Sequence, residues 1–61
     1  MTDAPAYLTP GVFVRHPGCP DWGRGQVQSS IGARVTVNFE EAGKVVIDTR
    51  HVELIPVPPE P

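Results

Sequence analysis

His16, Cys19, Asp21 and His51 are the residues of this chain whose types suit metal ligation or nucleophilic chemistry. The spacing His16-x-x-Cys19 suggests zinc at first sight. A zinc site needs three or four converging ligands with oriented outer partners, and one Cys with one nearby His falls far short of that. Cys19 and His51 can be drawn as a thiolate and its base, yet no third orienting group or oxyanion donor set accompanies them. Gly23-Arg24-Gly25 is not a phosphate loop, because no helix follows to collect an anion and no Lys-Ser/Thr pair is present. The expectation is a loop cysteine and two surface histidines, with no metal, no cofactor and no catalysis.

Recognition is better supplied than catalysis. Arg15, Arg24, Arg34 and Lys44 fall on outward positions of successive short strands, with Gln26, Gln28 and Asn38 between them. They make either a modest basic strip for phosphates or an acidic protein surface, or solvated charges that keep sheet edges from pairing. Trp22 lies in a Gly/Pro-rich loop and is either an anchor for a partner or a cover over one end of the fold. Phe13 is out of phase with Val12 and Val14, so it faces outward as a contact residue or beneath the N-terminal segment and Tyr7. An aromatic cage for a methylated lysine needs several aromatic faces around one cation. Tyr7, Phe13, Trp22 and Phe39 are too few, with Phe39 expected inside.

Composition limits the molecule that holds these residues. Sixty-one residues admit one small domain, which at this size buries about 60% of its unfolded surface. One cysteine excludes an intramolecular disulfide framework and suits a reducing cytoplasm. The N-terminus lacks a basic n-region and an apolar h-region, and no apolar run reaches about 18 residues, so neither export nor a membrane span is expected. Between Pro10 and Ile55 five positive residues face five negative ones, and the net −2 comes from Asp3 and Glu60. A neutral body lacks the field that drives general coating of a phosphate backbone.

The elements follow from periodicity. No twelve-residue window keeps a helical apolar pattern, whereas short β-branched runs recur between glycines. In Arg34–Phe39, Val35, Val37 and Phe39 share one face and Arg34, Thr36 and Asn38 the other. Residues 25–29 precede it across the short Ser30-Ile31-Gly32 link, and 44–48 return after Glu40-Glu41-Ala42-Gly43, so both connections are hairpins. Strands at 12–16 and 52–55 complete a set of five. With no helix to cover its apolar face, such a sheet must curl onto itself, which predicts an all-β, five-stranded SH3-like barrel over residues 10–55. Residues 1–9 and the proline-rich 56–61 are expected to be flexible tails, the second a linker stub or a polyproline ligand.

Gly11-Val12-Phe13-Val14-Arg15-His16-Pro17, Trp22-Gly23-Arg24-Gly25-Gln26-Val27, Arg34-Val35-Thr36-Val37-Asn38-Phe39-Glu40 and Gly43-Lys44 together resemble the C-terminal Tudor-like domain of UvrD/PcrA-type DNA repair helicases. They are more similar still to a family of small stand-alone bacterial proteins of unknown function, known mainly from alphaproteobacteria. The resemblance spans residues 11–55 and departs by three extra residues between His16-Pro17 and Trp22. It implies a non-catalytic module that docks on RNA polymerase or related DNA-processing machinery.

The expected core is Val12, Val14, Val27, Val35, Val37, Phe39, Val46, Val52 and Leu54, with the phase of Val45-Val46-Ile47 left open. The expected partner-binding residues are Phe13, Arg15, Trp22, Arg24, Arg34 and Lys44, on a monomer in the cytoplasm. Protein docking is the first expectation, and direct nucleic-acid binding through the basic strip is the alternative.

Overall fold

A computed structural model describes residues 8–58. The tail expectations for residues 1–7, the cover of Phe13 by Tyr7, and Pro59-Glu60-Pro61 lie outside the described residues. The described chain is all-β and has the expected class: five antiparallel strands in one curled sheet, with one 3₁₀ turn, Pro20–Trp22, between the first two. The strands are β1 (Phe13–Arg15), β2 (Gly25–Ile31), β3 (Arg34–Phe39), β4 (Gly43–Asp48) and β5 (Ile55–Pro56). Their order across the sheet is β4-β3-β2-β1-β5.

The central β2-β3-β4 meander follows from local chemistry. Strict alternation in β3 sends Val35, Val37 and Phe39 inward, and each meets an inward partner on β4 or β2. Gly32, at φ 58°, supplies the left-handed residue of the β2-β3 turn, and Gly43, at φ 77°, does the same as β4 begins. The β2-β3 register shifts between Val27 and Ser29. This bulge inserts Gln28 and bends β2, which lets a short sheet curl over its own core.

That core is Leu8, Val14, Val27, Val35, Val37, Phe39, Ile47 and Leu54, with Val12, Trp22, Val45 and Val52 packed partly buried against it. Two expectations are corrected. Val46 is 61% exposed and Ile47 is buried, because Ile47 is the residue that stands opposite inward Val35. Leu8, placed in the tail by its sequence surroundings, is 1% exposed. The turn closed by the Val12 N–H donating to the Thr9 carbonyl (3.1 Å) folds it back over the sheet.

The last strand also moves. It was expected at 52–55, but pairing occurs at Ile55–Pro56, opposite Arg15 and Val14. The Val57 N–H donates to the Phe13 carbonyl at 2.8 Å, so the start of the proline-rich segment belongs to the sheet. Proline is admissible there because β5 is an edge and its nitrogen donates to nothing. Gly25 marks the tightest point of the core. A Cβ built on it would overlap Val37 Cγ1 and lie 2.7 Å from Phe39 Cδ1, so only glycine lets β2 approach β3 here.

Candidate interaction face

Directly opposed residues of an antiparallel ladder share a face, so the pairing registers map the outer surface. Phe13 stands opposite Gln26, Gln26 opposite Asn38, and Asn38 opposite Lys44. These four form one row across β1, β2, β3 and β4, on the side away from the core. Arg15, two residues beyond Phe13, extends the row along β1 and pairs with Ile55 of β5, whose side chain is half exposed.

Arg24 joins this face from the residue before β2. Its guanidinium carbon lies 4.4 Å from the centroid of the Phe13 ring, a cation–π contact. The backbone beneath it is held from two sides. The Arg24 N–H donates to Glu40 Oε1 at 3.0 Å, and the Glu40 N–H donates to the Arg24 carbonyl at 3.0 Å. Gly23, at φ 77°, turns the chain against Glu40, where a Cβ would come within 3.2 Å of Oε1. The structure therefore brings Phe13, Arg15, Arg24 and Lys44 onto one outer face, with the side-chain amides of Gln26 and Asn38 between them.

Arg34 is separated from that group. It lies four residues from Asn38 along β3, roughly 13 Å at strand rise, and stands opposite Asp48. The Asp48 carboxylate there is taken by Arg50. Arg50 Nε and Nη2 donate to Asp48 Oδ1 and Oδ2 at 3.0 and 2.8 Å, and the Arg50 N–H adds a third bond to Oδ1 at 2.9 Å. The Arg50 side chain, then its backbone N–H, hold the Asp48 carboxyl well below the usual carboxylate range, and Asp48 in turn raises Arg50. His51 Nε2 lies 4.0 Å from the same carboxylate.

Trp22 is half-buried. Its ring meets Phe39 edge-on at 5.2 Å between centroids and His16 at 4.8 Å, so it packs over the β2-β3 side of the core. His16 is oriented by that contact and by its Nδ1, which accepts the Gly18 N–H at 3.0 Å. Cys19 is a half-buried free thiol whose N–H donates to the His16 carbonyl. Among the described residues no three His, Cys, Asp or Glu side chains converge as metal ligands.

Two participants escaped the sequence reading. Ile55 had an available signal, since it is out of phase with inward Leu54. Glu40 had none, because its bond to Arg24 spans sixteen residues of chain.

Residues 8–57 match the model of a family described as a protein of unknown function (DUF3553). No curated protein and no solved structure matches the chain. No helix among the described residues is long and apolar enough to cross a membrane.

Proposed function

We propose that this chain, which belongs to the DUF3553 family, is a non-catalytic interaction module whose outer sheet face docks on an acidic protein surface of the bacterial transcription or DNA-repair machinery. The observation that carries this reading is the Arg24 guanidinium stacked on Phe13, with Arg15 two residues along β1 and Lys44 three strands away at the far end of the same outer row. An aromatic ring with a guanidinium laid over it offers apolar area and a directed charge together, the combination enriched where protein partners bind. Phe13 is carried by β1, and the Arg24 backbone is fixed by its two hydrogen bonds with Glu40, so little ordering entropy is lost on docking.

RNA polymerase is the partner we put first. The resemblance of residues 11–55 to the Tudor-like domain of UvrD/PcrA-type helicases supports that choice, as does the near-neutral body. The reading places the protein in the cytoplasm. Purified polymerase core enzyme passed over the immobilised chain is expected to be retained at moderate salt and released from an Arg24→Glu surface. Equal retention by both surfaces, or by neither, contradicts the reading.

The row of Gln26, Asn38 and Lys44 favours a second reading, direct contact with nucleic acid, since side-chain amides and a lysine serve base edges and phosphates. Such binding falls steeply with salt, in proportion to the phosphates neutralised. Docking on protein retains more of its affinity, and a salt series separates the two.

A further inference from the structure

The two edges of the sheet are built differently. β5 is two residues long and contains Pro56, both features that blunt an edge. β4 runs for six residues against β3 without a register shift and contains no proline. Among the described residues no strand lies on its outer side. At its centre Val46 is 61% exposed. A straight edge with backbone donors and acceptors unpaired on one side is a template for another strand.

We propose that the strand it takes is β4 of a second copy of this chain, antiparallel, with the twofold axis passing through Val46. The sequence Lys44-Val45-Val46-Ile47-Asp48 is self-complementary in that register. Val46 meets Val46 of the other copy. Lys44 stands opposite Asp48 on one side of the axis, and the same pair recurs, exchanged, on the other. These residues share the outer face, so an exposed β-branched pair is flanked by two opposite-charge pairs, each a stabilising cross-strand combination.

Neighbouring registers lose this match. Centring on Val45 sets Lys44 against Val46 and leaves Asp48 opposite Ala42. Centring on Ile47 sets Val46 against Asp48 and carries Lys44 past the end of β4, opposite the turn that follows it. A one-residue slip from the proposed register turns the second copy's core to the opposite side of the joined sheet. Both Asp48 oxygens already accept from Arg50, so Lys44 of the second copy joins an existing ion pair, and the pattern favours this register over its neighbours. The interface is small, and the dimer it makes is concentration-dependent. It engages Lys44 at the far end of the outer row, leaves the Phe13–Arg24 end of each outer face open, and does not depend on the docking role proposed above.

Sedimentation of the full chain over a concentration series is expected to show a shift from 6.6 kDa toward twice that mass. Lys44→Glu, which creates two like-charge pairs, and Val46→Lys, which sets two lysines on the axis, should each raise the dissociation constant at least about tenfold. Val46 is exposed, so the second variant keeps its fold, as far-UV circular dichroism would report. In a Cys19→Ser background, Val46→Cys should cross-link to itself under mild oxidation, while Arg34→Cys on β3 does not. A chain that stays monomeric up to about 1 mM, a dimer that neither substitution weakens, or equal cross-linking at positions 34 and 46 overturns the proposal.

Discussion

Arg24 covers the ring of Phe13 at 4.4 Å, tying the residue before β2 to the first residue of β1 across the outer face. The contact orders the two side chains on which the docking proposal rests, and exposed cation–π pairs contribute about 0.5–1 kcal/mol. A double-mutant cycle of Phe13→Ala and Arg24→Ala on urea unfolding is expected to return a coupling of about that size. Strict additivity would mean that the two side chains do not hold one another.

Gly25 sits where β2 passes closest to Val37 and Phe39. Gly25→Ala should destabilise the fold by about 2 kcal/mol or more, because the added methyl must displace Val37 Cγ1 and the Phe39 ring in a close-packed core. Urea midpoints measure this. Gly11→Ala is no substitute control, since Gly11 has open space but a φ of 97° that alanine adopts only with strain.

The phase of β4 separates two adjacent residues. In dilute solution, where the chain is monomeric, Ile47→Ala is expected to cost about 2–4 kcal/mol by emptying a filled site opposite Val35, whereas Val46→Ala should lie within about 0.5 kcal/mol of the parent. Thermal unfolding of the two variants side by side decides it. A reversed order would place Val46 in the core.

Asp48 links stability to pH. Its folded carboxyl lies below the ordinary value of 3.8 because Arg50 donates to it through side chain and backbone. A depressed folded value means that the carboxylate's stabilising contribution is complete above the unfolded value and is lost as pH falls through the folded one. Asp48→Asn should therefore lower the melting temperature at pH 7 and flatten its decline between about pH 4 and pH 2. Parallel acid profiles for parent and variant would show that the Asp48–Arg50 pair contributes nothing.

How much of this was legible depended on whether neighbours in sequence decide the outcome. The bounds of β3 and its inward Val35, Val37 and Phe39 follow from alternation alone. In β4 the run Val45-Val46-Ile47 has no alternation, and the choice of Ile47 is made by Val35 across the ladder. Leu8 sits between a tyrosine and a proline-glycine turn with no period of its own, so its burial is decided by the fold-back at Thr9. Prolines hid β5, although proline is tolerated on an edge strand. On the outer face, the individual basic residues were readable from strand phase. Their grouping was not: register places Arg15, Arg24 and Lys44 with Phe13 and sets Arg34 apart beside Asp48.

The central claim, that the Phe13–Arg24 face docks on protein, is tested most directly by a backbone amide NMR titration of the labelled chain. Purified RNA polymerase β subunit is added in one series, and short single-stranded and duplex DNA in another. The account predicts shifts or broadening at Phe13, Arg15, Arg24, Gln26, Asn38 and Lys44 with the polymerase subunit, little change at Arg34, and weak, salt-sensitive changes with DNA. Silence with the polymerase subunit, or changes on this face with DNA alone, would contradict it.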